Sequence, residues 1–78
     1  MSQIHDRLDW NLLRTFLAIV QEGSISRAAV RLHLTQPAVS LALKRLEERL
    51  GENLIARSGS SFTVTTAGEL VYKEALAI

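Results

Sequence analysis

No cysteine occurs in the 78 residues. That excludes a disulfide frame, a thiolate nucleophile and cysteine-ligated zinc, and it suits a reducing, cytoplasmic setting. The longest apolar run, Phe16 to Val20, is five residues, far short of the roughly 20 that a membrane-spanning helix needs. The opening Met1-Ser2-Gln3-Ile4-His5-Asp6-Arg7 lacks the basic-then-apolar order of a secretion signal. Catalytic patterns are missing too: no His-Glu-x-x-His, no glycine-rich phosphate loop and no serine–histidine–aspartate set. His5 and His33 have no partner at metal-ligand spacing, and His33 reads most simply as a turn residue. An enzyme is not expected, and neither is a cofactor, a metal or a membrane partner.

What is present describes one small domain. The chain is 47% hydrophobic and 22% charged, and a chain of this size buries roughly 60% of its unfolded surface. The formal net charge of +1 says little, but its distribution says more. Residues 24–64 carry Arg27, Arg31, Lys44, Arg45, Arg49 and Arg57 against Glu47, Glu48 and Glu52, a balance of +3, whereas residues 1–23 and 65–78 each sum to −1. A phosphate-binding surface belongs in that basic middle.

Periodicity predicts a first helix from Asp9, a good N-cap, to Glu22, with Leu13, Phe16, Leu17 and Val20 as its apolar stripe. Gly23 stops it. Ser24 caps a short second helix whose inner side is Ile25, Ala28, Ala29 and Leu32, two adjacent alanines allowing a close helix crossing. Thr35-Gln36-Pro37 opens a third helix, with Thr35 as N-cap and Pro37 in the first turn. Leu34 and Val39 are spaced as a hydrophobic staple. Val39, Leu43, Leu46 and Leu50 form the buried stripe, and Gly51 ends the helix. The β-prone runs Leu54–Arg57 and Phe62–Thr65 flank Ser58-Gly59-Ser60-Ser61 and read as a hairpin. A last helix starts at Thr65 or Thr66, because the capping box Thr66-x-x-Glu69 leaves both open. The order predicts a mostly α winged helix-turn-helix: three helices and a short β-hairpin wing, followed by the start of a linker or dimerisation helix.

An ordinary αα-hairpin would share the tight turn, so the outward face of the third helix has to discriminate. At 100° per residue that face holds Pro37, Leu41, Lys44 and Glu48, flanked by Ser40 and Arg45, with Gln36 in the first turn. Its leading half carries no acid, while Glu47 and Glu48 farther on would be repelled by phosphates. Only the first two turns therefore fit a DNA major groove, in the manner of a helix-turn-helix reading through its N-terminal residues. Gln36 can pair with adenine, Ser40 with a base or a phosphate, Pro37 and Leu41 with a thymine methyl, and Lys44 with a phosphate or guanine. The helix starts near Ser24, Ser26 and Thr35 offer backbone N–H groups to anions. Arg27 and Arg31 can flank the DNA backbone, and Arg57, with Ser58 beside it, can reach the adjacent minor groove. Arg45 completes the candidate set, although Arg45 and Arg49 among Glu48 and Glu52 read more simply as a solvated charged flank. The competing reading is a winged-helix module that docks onto a partner protein, which Leu41 and the uncharged wing tip favour.

Gly23-Ser24-Ile25-Ser26-Arg27-Ala28-Ala29, Leu32-His33-Leu34-Thr35-Gln36-Pro37-Ala38-Val39-Ser40 and Leu46-Glu47-x-x-Leu50-Gly51 recur in one order and spacing with Leu54-Ile55-Ala56-Arg57-Ser58 and Val64-Thr65-Thr66-Ala67-Gly68. On these residues the chain resembles the LysR-type transcriptional regulators over about residues 8–78. The resemblance implies a bacterial transcription factor with an N-terminal winged helix-turn-helix, a long linker helix and a C-terminal effector-binding domain of two α/β lobes. It implies homodimers, paired into tetramers in the full-length protein, on double-stranded DNA carrying an interrupted palindromic promoter site with T and A at its ends. It also implies that Gln36, Pro37, Ser40 and Leu41 look at bases, and that Thr35 and Arg57 meet the backbone or the minor groove. Leu41 stands where relatives often carry arginine or another polar residue. The tip Gly59-Ser60-Ser61 lacks the basic residue that many relatives have, and Ile55 replaces a frequent phenylalanine. The expected organisation is residues 1–65 as the DNA-binding domain and 66–78 as the start of the linker helix, with the effector-binding domain outside this chain. Val71, Tyr72, Ala75, Leu76, Ala77 and Ile78 are too apolar for a solvated face and are expected to meet a second copy.

Overall fold

The computed structural model describes the backbone of residues 3–58 and 61–77 and the side chains of residues 10–57 and 62–77. Four helices and one hairpin follow in order: α1 (Gln3–Glu22), α2 (Ile25–Leu32), α3 (Gln36–Leu50), β1 (Ile55–Ser58), β2 (Ser61–Val64) and α4 (Thr66–Leu76). The strands pair antiparallel, Ile55 opposite Val64 and Arg57 opposite Phe62. No described helix is long and apolar enough to cross a membrane.

α1 packs against α2, α3 and α4. Because it has neighbours on more than one side, its buried arc is wider than a single stripe and is centred on Phe16, Ala18 and Ile19. Leu13, Leu17 and Val20, expected at the centre, are only half-buried. Asp9 does not cap this helix. α1 begins six residues earlier, at Gln3, since nothing between Gln3 and Leu8 breaks a helix and each added residue adds a backbone hydrogen bond.

α2 and α3 are joined by the three residues His33, Leu34 and Thr35. His33 takes a left-handed conformation (φ 59°), so that its N–H and that of Leu34 return to the Ala29 and Val30 carbonyls and close the end of α2. Ala28 and Ala29 are buried, as their small size allows. On α3, Val39, Leu43 and Leu46 are buried and Leu50 is not. The core layer stops at Leu46, one turn before Gly51 (φ 69°) ends the helix. Leu34 is also substantially exposed, so any staple onto Val39 covers only part of it.

Both strands sit one residue from the expected boundaries, because Leu54 is fully buried ahead of β1 and Thr65 is taken as a cap. Thr65, not Thr66, is the N-cap of α4. Its hydroxyl accepts from Gly68 N–H (3.0 Å) and donates to the Asn53 carbonyl (2.6 Å), while its own N–H donates to the Leu54 carbonyl (3.0 Å). Within α4, Ala75 is buried and Val71 and Tyr72 are half-buried. The Tyr72 hydroxyl accepts from Gln21 Nε2 (3.3 Å) on α1. These three expected partner-facing residues are therefore largely covered from within the chain. Leu70 and Leu76 stay exposed, and Ile78 lies outside the described residues.

Gly68 lets α4 approach the base of the wing. A Cβ there would collide with the Leu54 carbonyl and press on Val64. Gly68→Ala is expected to destabilise the fold by about 1–3 kcal/mol through overpacking. Urea unfolding measures it, and an unchanged midpoint would contradict the close approach.

Candidate nucleic-acid interface

The candidate residues lie on two helix starts, one helix face and one strand. At the start of α2, Ser24 is extended (φ −166°, ψ 134°) and its hydroxyl accepts from Arg27 N–H (3.1 Å), while Ala28 N–H bonds the Ser24 carbonyl. The N–H groups of Ile25 and Ser26 have no acceptor within the helix, at the positive end of its dipole. Ser26 and Arg27 are exposed beside them. Arg31 lies one turn on, with its Nη1 3.3 Å from the Glu22 carboxylate. Both side chains are solvated, so the pair is worth at most about 1 kcal/mol and a phosphate can displace it.

The start of α3 is more fully spent than its sequence suggests. Thr35 Oγ1 accepts from Ala38 N–H (3.2 Å), the Thr35 carbonyl takes Val39 N–H (3.1 Å), and Pro37 has no N–H to give. Gln36 N–H and the Thr35 hydroxyl proton are what this end can offer an anion. Beyond the cap, Gln36, Pro37, Leu41 and Lys44 are exposed and Ser40 is half-buried, with Val39 and Leu43 buried beneath. The first exposed acid along this face is Glu48, one turn past Lys44.

Glu47 does not join it. One carboxylate oxygen, Oε2, accepts from the backbone N–H groups of Leu54 (2.7 Å) and Ile55 (3.2 Å). The carboxylate that the sequence placed beside Glu48 as a repelling group is instead the tie between the last turns of α3 and the wing. No local pattern announces such a bond, since the two donors lie seven and eight residues from the acceptor, across a turn. Its signal was Glu47's place in the Leu46-Glu47-x-x-Leu50-Gly51 motif. Asn53 was missed for the same reason, and Thr65, one of the two threonines left open as the start of α4, was not separated from Thr66.

The tie sets the order of surfaces around α3. On the Glu47 side stands the wing, where Arg57 is exposed. Arg57 shares the ribbon face of Ile55, Val64 and Phe62, the face turned toward the core. On the opposite side, Arg45, Glu48 and Arg49 line a groove of about 590 Å³ with Asn11 and Leu12 of α1. The strip Pro37–Leu41–Lys44 runs between the two. Arg45 thus stands on a mixed-charge flank beside Glu48, away from the wing. The Ser58 side chain and the tip residues Gly59 and Ser60 lie outside the described residues, as does the Ser61 side chain. No group of His, Asp and Glu able to hold a metal occurs among the described residues.

Residues 10–69 match the family model described as bacterial regulatory helix-turn-helix protein, lysR family. The chain is 43% identical over 68 residues to the HTH-type transcriptional regulator XapR of Escherichia coli (strain K12), covering 87% of this chain and 23% of XapR. Against the HTH-type transcriptional regulator CysL of Bacillus subtilis (strain 168) it is 39% identical over 66 residues, covering 85% and 22%. The chain therefore spans about a quarter of the length of these relatives. Among solved structures, the complex of BenM DBD with catB site 1 DNA superposes with a TM-score of 0.83 at 35% identity, covering 87% of this chain and 73% of that one.

Glu47→Ala removes the shared acceptor of two half-buried N–H groups. Hydrogen bonds to charged groups contribute about 1.5–3 kcal/mol, and a loss of roughly that size is expected in urea unfolding. Glu47→Gln keeps a carbonyl acceptor and is expected to lose less. Equal stability of all three proteins would mean that the tie is not needed.

Proposed function

From the chain's place in the lysR family of bacterial regulatory helix-turn-helix proteins, to which it belongs, we propose that it is the sequence-specific DNA-binding part of a transcription factor. The start of α3 enters the major groove of a promoter half-site. The observation that carries this reading is the exposed strip from Gln36 to Lys44: it is free of carboxylates, ends in a cation, and stands between the wing and the mixed-charge flank of Arg45 and Glu48. The likeness to a chain in complex with DNA at 35% identity supports it.

In this reading Gln36, Pro37, Ser40 and Leu41 face base edges. Ser24, Ser26, Arg27, Arg31, Thr35 and Lys44 face the sugar–phosphate backbone, with Arg31 exchanging Glu22 for a phosphate. Arg57 and Ser58 approach the neighbouring minor groove, and Arg45 contributes at the rim. Residues 1–65 form the DNA-binding unit and 66–78 open the linker helix. Two chains associate through α4, where Leu70 and Leu76 are exposed, and so present two copies of α3 to an interrupted palindrome. Tetramers form in the longer protein, where a further domain binds the effector. The role is that of a cytoplasmic binding module, not an enzyme.

Affinity for DNA is expected to fall with added salt, by about 0.9 log units per log of salt for each phosphate contact. Gln36→Ala is expected to cost roughly 1–3 kcal/mol on the selected site and to relax discrimination at one base pair, whereas Arg57→Ala weakens selected and random duplexes alike. Fluorescence anisotropy on both duplexes reads the difference. Equal losses for Gln36→Ala on the two would remove it from the base-reading set.

A further inference from the structure

We propose that Glu22 is a built-in competitor for phosphate: it occupies the Arg31 guanidinium and so lowers affinity for every duplex, while the preference between duplexes is unchanged. This rests on the DNA-binding reading above, in which Arg31 faces the backbone, and it names the residue that limits that contact.

Among the described residues Arg27, Lys44 and Arg57 make no ion pair, whereas Arg31 has its Nη1 3.3 Å from the Glu22 carboxylate. The pair joins the ends of two helices with opposite needs for it. Arg31 lies in the last turn of α2, where the unpaired carbonyls favour a cation with or without a partner. Glu22 is the last residue of α1, whose final turn contains no basic residue. There the same kind of carbonyls oppose a carboxylate. With Arg31 46% and Glu22 31% exposed, water screens the pair and leaves it little to add to the fold. Stability gives no reason for a glutamate at this position, and its contact is with one of the cations assigned to DNA.

A phosphate arriving at Arg31 has two ways to bind it. If the guanidinium swings to the phosphate, the ion pair breaks and its energy is subtracted from the new contact. If the N–H donors of the fork bridge both anions, the Glu22 carboxylate is left beside the phosphate, and like charges at that range repel. Both routes cost affinity. Neither depends on base sequence, because phosphates are common to every duplex, so matched and unmatched sites bear the cost alike.

Glu22→Gln keeps the shape of the side chain and removes its charge. In fluorescence anisotropy at low salt it is expected to tighten binding about two- to fivefold, both to a duplex selected from a random-sequence pool and to a scrambled one. Glu74→Gln on α4 makes the same change in net charge elsewhere and is expected to give a smaller gain. In an Arg31→Ala background the extra gain from Glu22→Gln is expected to vanish, which separates action through Arg31 from a change in the overall field. Misfolding cannot imitate this result, since it would weaken binding. The proposal is overturned if Glu22→Gln binds no tighter than Glu74→Gln, if it binds more weakly because Glu22 orients Arg31 toward phosphate, if it tightens one duplex alone, or if the gain survives in Arg31→Ala. In each of these cases DNA recognition stands. If the chain does not separate selected from scrambled duplexes at all, the proposal falls together with the reading it rests on.

Discussion

A ribbon of two four-residue strands does not hold a fixed position in water by itself, so everything the wing can do depends on how its base is tied. Two polar ties and one close approach do this. The Glu47 carboxylate gathers the N–H groups of Leu54 and Ile55 onto the last turns of α3. Thr65 joins the start of α4 to the Asn53 and Leu54 carbonyls. Gly68, by lacking a Cβ, lets the two sides meet. Leu54 and Ile55, buried between them, keep water from competing. The angle between Arg57 and the strip on α3 is a consequence of this junction. A change that loosens it would move the exposed Arg57 relative to α3 without touching any residue of the strip.

The other half of the geometry comes from α1. It gives α2, α3 and α4 a common surface to pack on, with Phe16 and Ile19 fully buried at its centre. The alanine pair of α2 and the left-handed His33 then set how closely, and at what angle, α2 and α3 approach. The basic middle of the sequence is thereby spread over two helix starts and a strand, although the three segments are separate in the chain. Net charge plays little part. Glu47 is spent on the wing, Glu22 pairs with Arg31, and Glu48 stands past the leading turns, so the strip itself carries no negative charge.

How legible this was depended on how local each cause is. The start of α3 at Thr35 and Pro37 and its end at Gly51 were readable because caps act within three or four residues. The order of elements and the outward face of α3 followed from periodicity alone. The inner face of α1 did not, because a helix with neighbours on several sides no longer obeys a one-stripe rule, and Ile19 and Ala18 became core at the expense of Leu17. Thr65 and Thr66 satisfied the same local rule. What separates them is the Asn53 carbonyl, which only the folded chain brings near. Glu47 read as surface charge for the same reason, its partners being fixed by the path of the turn after Gly51. On α4 the apolar excess was visible, yet the division between Tyr72 and Ala75 turned inward and Leu70 and Leu76 turned outward required the position of α1.

In the proposed reading, affinity and selectivity are supplied by different parts of the same small surface. In that reading Arg27 and Lys44, with the free N–H groups at the start of α2, would act on phosphates that every sequence shares, with Arg57 at the minor groove beside them, and a single chain has only a handful of such groups. Salt weakens each in turn, so one copy holds DNA loosely, and the exposed leucines of α4 offer the means of doubling the set. Selection between sequences has to come from the few side chains that reach base edges. Two of those proposed for that role, Pro37 and Leu41, contribute no charge and no hydrogen bond. Such contacts add little to non-specific affinity, which leaves the ratio between a matched and an unmatched site free to be set by whether the groove offers apolar surface or unpaired polar edges in return. An α3 with cations at those positions would bind every duplex more tightly and would favour guanine where these side chains meet apolar surface.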